Sequence, residues 1–171
     1  AARALAEAGT DRDARARAVV ASILAAWTPD TAPHRLGQVE ELLGLCAHDA
    51  GLEATATHLH RCVLLELGRV SESARAARRF TAIAERTGDP DLGLLDTWWR
   101  AALHLVRGES AAARAAAASA AGTAAAASPA AAALDRISRA TVDGIAAWHD
   151  GRLIDLVGDA ADLAADTDPG F

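Results

Sequence analysis

Apolar residues recur along this chain at intervals of three and four. Leu52, Ala56, Leu59, Val63 and Leu67 share one helical face, as do Leu92, Leu95, Trp99, Ala102 and Leu105, and again Leu134, Ile137, Thr141, Ile145 and Trp148. Two further stripes are smaller-sided: Val70, Ala74, Ala77, Phe80 and Ala84, and Leu153, Leu156, Ala160 and Leu163. Residues 111–121 are almost pure alanine. Nowhere is there the sustained period-2 alternation of a half-buried strand, and β-branched residues are sparse. The pattern predicts an all-α fold.

Helix breakers divide the pattern at Gly9, "TPDTAP" (28–33), "DAG" (49–51), "LGR" (67–69), "TGDP" (87–90), "RGES" (107–110), "SP" (128–129), "DGR" (150–152) and "TDPG" (167–170). The segments between them pair into hairpins over approximately 11–50, 52–87, 91–124 and 130–166. Gly68, Gly108 and Gly151 each end one helix and introduce the next, 40 and 43 residues apart. A period of that size is the mark of paired-helix repeats, whose apolar faces stay in water unless neighbours stack. The expected architecture is a tetratricopeptide (TPR)-like α-α superhelix, a solenoid of antiparallel helix pairs forming a single domain over 1–171.

Aligning the repeats on their glycines makes Leu59, Trp99 and Val142 equivalent, and likewise Leu65, Leu105 and Trp148. Leu59, Trp99, Leu105 and Trp148 are therefore expected in the core, the tryptophans as wedges that dominate local packing. Trp98 sits about 100° round the helix from Trp99. It either packs against the preceding repeat or stands on a binding face. Arg100 shares its slot with His60 and Asp143; one turn away lie Asp96, equivalent to Arg139, and His104. First helices line the concave wall of such stacks, so His60, Asp96, Trp98, Arg100, His104, Arg139 and Asp143 are the candidate ligand- or partner-binding residues. The competing reading is a solvated stripe in which Asp96 and Arg100 form an ordinary i,i+4 pair.

Composition adds few constraints. Alanine supplies 47 of 171 residues, lysine, methionine, asparagine and tyrosine are absent, and all 17 basic residues are arginine. That bias matches a GC-rich genome better than a demand for arginine chemistry. A chain opening on Ala1 inside a helical pattern reads as part of a longer polypeptide. No apolar run approaches the roughly 18 residues needed to span a bilayer, so no membrane association is expected. Cys46 and Cys62 lack a CxxC partner and read as small buried hydrophobes of a reducing cytoplasm. The net charge of -6 argues against direct nucleic-acid binding. It is unevenly spread: six arginines face three glutamates over 60–88, and seven aspartates face Arg152 alone over 141–171. Solvated faces explain this asymmetry as readily as matching between neighbouring copies.

Catalytic signatures are missing from the sequence. There is no GxxxxGK[ST], HExxH or GxSxG, and His58 and His60, two apart, point to different sides of a helix. Neither catalytic residues, a metal site nor a cofactor is expected.

The "AW.PD" turn at Trp27 to Asp30, the "LLELG" helix end at Leu64 to Gly68, and "WWRA" followed by "RG" at Trp98 to Gly108 carry a resemblance over most of residues 11–125. The segment resembles the tetratricopeptide-like region of actinobacterial transcriptional activators: the large ATP-binding LuxR-type regulators and the related antibiotic regulatory proteins. Two features depart from that pattern. His60 stands where arginine is usual, and the alanine-dominated stretch 111–133 blurs the next repeat. The resemblance implies a non-catalytic, cytoplasmic interaction or sensing module that receives a protein partner or small-molecule effector, or controls self-association. A passive scaffold or dimerisation element of a multidomain regulatory ATPase or cyclase is the alternative. The ligand-binding half of a bundle-type repressor, enclosing Trp98 and Trp99, is a third.

Overall fold

The computed structural model describes residues 12–46 and 49–152. Among them there are helices and no strand: α1 (Arg12–Ala25), a 3-10 turn (Pro29–Thr31), α2 (Ala32–Leu45), α3 (Ala50–Glu66), α4 (Val70–Thr87), α5 (Pro90–Val106), α6 (Ser110–Ala124) and α7 (Pro129–His149). The chain divides into two compact units, Ala1–Gly88 and Asp89–Phe171. The expected stripe Leu153, Leu156, Ala160 and Leu163 lies outside the described residues, as does most of the second half of the pair at 130–166.

Each helix starts and stops where the sequence chemistry requires. Asp49 caps α3 by accepting from Gly51 and Leu52 N–H, and Ser128 caps α7 by accepting from Ala131 N–H. Proline occupies the first turn of α2, α5 and α7, where its missing N–H costs nothing. Gly68, Gly108 and Gly151 take left-handed φ values of 71°, 74° and 73° and build the same corner three times. In each, the glycine N–H donates to the carbonyl three residues back and the next residue's N–H to the carbonyl five back. The second bond runs Arg69 to Leu64 at 2.8 Å, Glu109 to His104 at 2.9 Å and Arg152 to Ala147 at 2.7 Å. An L-residue with a Cβ would be strained at these angles.

In the first unit, successive helices pack as antiparallel neighbours. Arg12, at the start of α1, donates to Gly44 and Leu45 carbonyls at the end of α2, and Glu53, early in α3, receives Arg79 and Arg86 from α4. Ala16, Val19, Ile23, Val39, Leu42, Ala56, Leu59 and Val63 form the core, joined by Cys46. The expected α3 stripe is therefore the buried one, with Leu52 and Leu67 at its half-buried ends. In α4 the face is turned: Phe80 and Ala84 are buried as expected, Ser73, Ala76 and Ile83 join them, and Val70 is exposed.

The three described helices of the second unit enclose Leu94, Trp98, Ala101, Leu105, Ala113, Ala117, Ala120, Val142 and Ala146. This core is rotated by one residue from the expected α5 stripe. Trp98, at 8% exposure, is the wedge, whereas Trp99 is half-buried and Ala102 exposed. The cause is that α5 carries two apolar stripes 100° apart, and the alanine face of α6 packs on the one containing Trp98, Ala101 and Leu105. Leu105 is buried as expected. In α7 the departure is larger: Trp148 and Ile137 are each 65% exposed and Leu134 51%. The helix turns Asp135, Val142 and Ala146 inward, because α6 and α5 cover that side only.

A tether joins the first turn of α5 to the N-cap of α7. The Asp91 carboxylate, in the first turn of α5, accepts the Ser128 hydroxyl at 2.7 Å and its N–H at 2.8 Å. The hydroxyl first and the N–H second hold the Asp91 carboxyl below its ordinary value of 3.8. A carboxyl depressed in the folded state stabilises fully above its unfolded pKa, and that contribution disappears as pH falls through the lowered one. Asp91→Asn should therefore show a shallower decline of urea midpoint with acidification below the ordinary aspartate value than the parent chain. Parallel declines would refute the tether's role.

Candidate functional site

The polar candidates lie on both units. His60 belongs to α3, half-buried, and burial pushes its imidazole below the usual histidine value. The others belong to the second unit. Helical spacing sets Asp96, Arg100 and His104 in a row on α5. Asp96 is buried, with Arg100 Nε 3.7 Å from its Oδ2. Arg100 also donates to Thr97 Oγ1 at 3.3 Å and projects outward. His104 Nδ1 lies 2.5 Å from Glu109 Oε2 at the corner.

On α7, Arg139 is turned inward. It donates to Asp135 Oδ2 at 2.8 Å and to the Ala117 carbonyl of α6 at 3.0 Å, so it ties two helices together. Asp143 is half-buried one turn further on. Trp98, a candidate for the binding face, is a core residue instead. Its Nε1 and the Asp135 Oδ1 are both buried without a hydrogen-bond partner among the described residues. A donor and an acceptor thus lie buried in one small unit without a protein partner among the described residues, and such groups are costly unless something satisfies them.

Two buried arginines escape a reading of the sequence. Arg35 is 0% exposed and stacks 4.1 Å over the Trp27 ring. Its guanidinium reaches Glu66 Oε2 at 2.5 Å, the Thr28 carbonyl at 2.9 Å and Thr31 Oγ1 at 3.1 Å. The "TPDTAP" segment is therefore the seat of this side chain as well as a helix break. Arg61, also 0% exposed, lies 3.9 Å over the Phe80 ring and donates from Nε and Nη2 to His58 Nδ1 at 3.2 and 2.9 Å. Sign of charge alone puts Arg61 on a solvated basic face, and the structure corrects this. Its register carries a signal of burial: Arg61 precedes Gly68 by the same seven residues that separate the buried Ala101 from Gly108.

Arg61 sets the chemistry of its neighbours. With Nδ1 accepting, the neutral His58 ring carries its proton on Nε2, which lies 3.7 Å from Cys62 Sγ. Burial, and then the Arg61 charge, push His58 down to about 4; burial pushes the Cys62 thiol up to about 11. Both groups are neutral near pH 7. An activated nucleophile needs the opposite, a depressed thiol beside a protonated base. Among the described residues no group of three or more His, Cys, Asp or Glu is placed to hold a metal, and no helix is long and apolar enough to cross a membrane.

No family model, curated protein or solved structure matches the chain.

Proposed function

We propose that this chain is a non-catalytic helical-repeat module of a bacterial transcriptional regulator, whose pairs stack into a TPR-like superhelix and receive a protein partner or a small effector. The observation that carries the reading is the corner repeated at Gly68, Gly108 and Gly151, which reverses the chain with one hydrogen-bond pattern at intervals of 40 and 43 residues. Repeats of that length act by presenting a surface across neighbours. The effector arm draws support from the second unit, where Trp98 Nε1 and Asp135 Oδ1 are buried with no hydrogen-bond partner among the described residues. A small polar molecule that satisfied both would favour the conformation admitting it, and only such a difference in affinity shifts an equilibrium.

A passive scaffold is the second reading. It is favoured by the pairing of Arg100 with Asp96, Arg139 with Asp135 and His104 with Glu109 inside the unit. Tryptophan emission, recorded against a panel of nucleotides, amino acids and sugar phosphates, separates the two. A saturable change that Asp135→Ala abolishes supports effector sensing. Flat emission throughout overturns the effector arm, and a single sedimenting species of monomer mass at every concentration overturns dimerisation.

A further inference from the structure

We propose that the outward face of α7 is a self-association surface, on which a second copy of this chain lays its own α7 antiparallel about a two-fold axis. This rests on the partner-binding arm of the proposed function, to which it gives a surface and a partner, and is independent of the effector arm.

The face is one continuous seam. Ala130, Leu134, Ile137, Thr141, Gly144 and Trp148 follow one another at steps of four, three, four, three and four, the interval at which two helices pack along their length. None of the six is buried: Leu134 is 51% exposed, Ile137 and Trp148 are each 65% exposed, and a Cβ added at Gly144 would meet nothing within 4 Å. Thr141 spends its hydroxyl on the Ile137 carbonyl at 2.9 Å, which leaves its methyl group for a neighbour. The side that α7 turns into its own unit, with Asp135, Val142 and Ala146, lies about 140° round the helix. Beside the seam stand Ala133, Ala140 and Ala147 on one margin and Ala131, Ser138 and Ile145 on the other, so neither margin carries a formal charge between 130 and 148. Two copies can therefore meet there without opposing like charges, and the alanine margin lets the helices come close.

The order of sizes along the seam selects the partner and its direction. With the two-fold axis midway between Ile137 and Thr141, an antiparallel copy sets each large side chain against a small one: Trp148 against the partner's Ala130, Leu134 against the partner's Gly144, and Ile137 against the partner's Thr141. Symmetry repeats the three layers, so the full length from Ala130 to Trp148 is used and no large residue is left over. A parallel copy in register would set Trp148 on Trp148 and Gly144 on Gly144, a crowded layer next to a void, which close packing disfavours. The surface at stake suits a modest dimer. The three large side chains expose about 350 Å², and the small residues of the seam and its margins raise this to about 500 Å² per copy. Two copies would then remove about 1,000 Å² from water, the lower bound for a specific interface, which corresponds to a Kd of about 1–100 μM.

Sedimentation equilibrium of the full chain tests the proposal, and should show a monomer–dimer equilibrium in that range with no larger species. Gly144→Leu should weaken it at least about tenfold, because the slot for the partner's Leu134 is then filled. The variant stays folded: a Cβ at 144 meets nothing in its own chain, and leucine forms helix better than glycine. Adding Leu134→Ala to it moves the large residue to the other side of the same layer and should restore most of the affinity. Direction is read by mixing a Leu134→Cys chain with a Gly144→Cys chain under mild oxidation, which should give the mixed disulfide dimer in preference to either like pair. A single-chain mass up to about 1 mM would overturn the proposal. So would a dimer whose Kd ignores Gly144→Leu, although the partner-binding reading would then survive on another surface. Disulfide dimers formed equally well by either cysteine chain alone would overturn the antiparallel register.

Discussion

Phe80→Ala is expected to lower the stability of the first unit by about 3–5 kcal/mol. The ring is fully buried, lies 3.9 Å under the Arg61 guanidinium and contacts His58 at a centroid distance of 5.8 Å. Alanine would leave a cavity and remove the surface on which a desolvated cation rests. Phe80→Leu restores apolar volume without the π face, so the loss that this variant still shows relative to the parent isolates the cation–ring part, which should be about 1–2 kcal/mol. Urea unfolding followed by far-ultraviolet circular dichroism reads both. A loss below about 1 kcal/mol for alanine would mean that Phe80 is not the keystone of this face.

The second large effect concerns an asymmetry. Arg35 is wholly buried, whereas the Glu66 side chain is one-third exposed. Removing the carboxylate by Glu66→Ala strands a buried cation and should cost about 2–3 kcal/mol, less than for a fully buried pair because water reaches the rim. Arg35→Met removes the cation, leaves a glutamate able to hydrate and keeps a flexible apolar chain over Trp27; its cost should be about 1 kcal/mol. The double variant should then be more stable than Glu66→Ala alone. If instead the two single losses add, the pair is not coupled.

Much of the framework is legible in the sequence. The breakers at "TPDTAP", "TGDP", "RGES" and "DGR" fall at helix ends because glycine and proline act locally, through φ and a missing donor. The buried face of α3 is legible because Ala56, Leu59 and Val63 contrast with polar neighbours. On α5 that contrast fails, since Leu95 with Trp99 and Leu94 with Trp98 are equally apolar pairs. Only the partner decides between them, and α6 is too alanine-rich to announce its own buried side. On α7 the stripe at Ile137, Thr141 and Trp148 is real but does not face α5 or α6. Arg35 is illegible for another reason: its burial is offset by a ring and a carboxylate, the latter 31 residues away. Of the candidate site, the rows of charge are visible in the sequence, but their pairing is not. Arg139 looks like a surface group until the Ala117 carbonyl is seen beside it.

The facing surfaces of α5 and α6 carry a mechanical implication. Ala113, Ala117 and Ala120 offer only methyl groups to Trp98 and Leu105, so the spacing of the two rods is set almost by backbone against ring. Such a joint has no long side chain to bend or change rotamer when pushed. A displacement at one end of α5 would be passed to α6 as a translation of the entire helix. The hairpin would behave as a stiff lever, and enlarging any one of those three alanines would shift its far end.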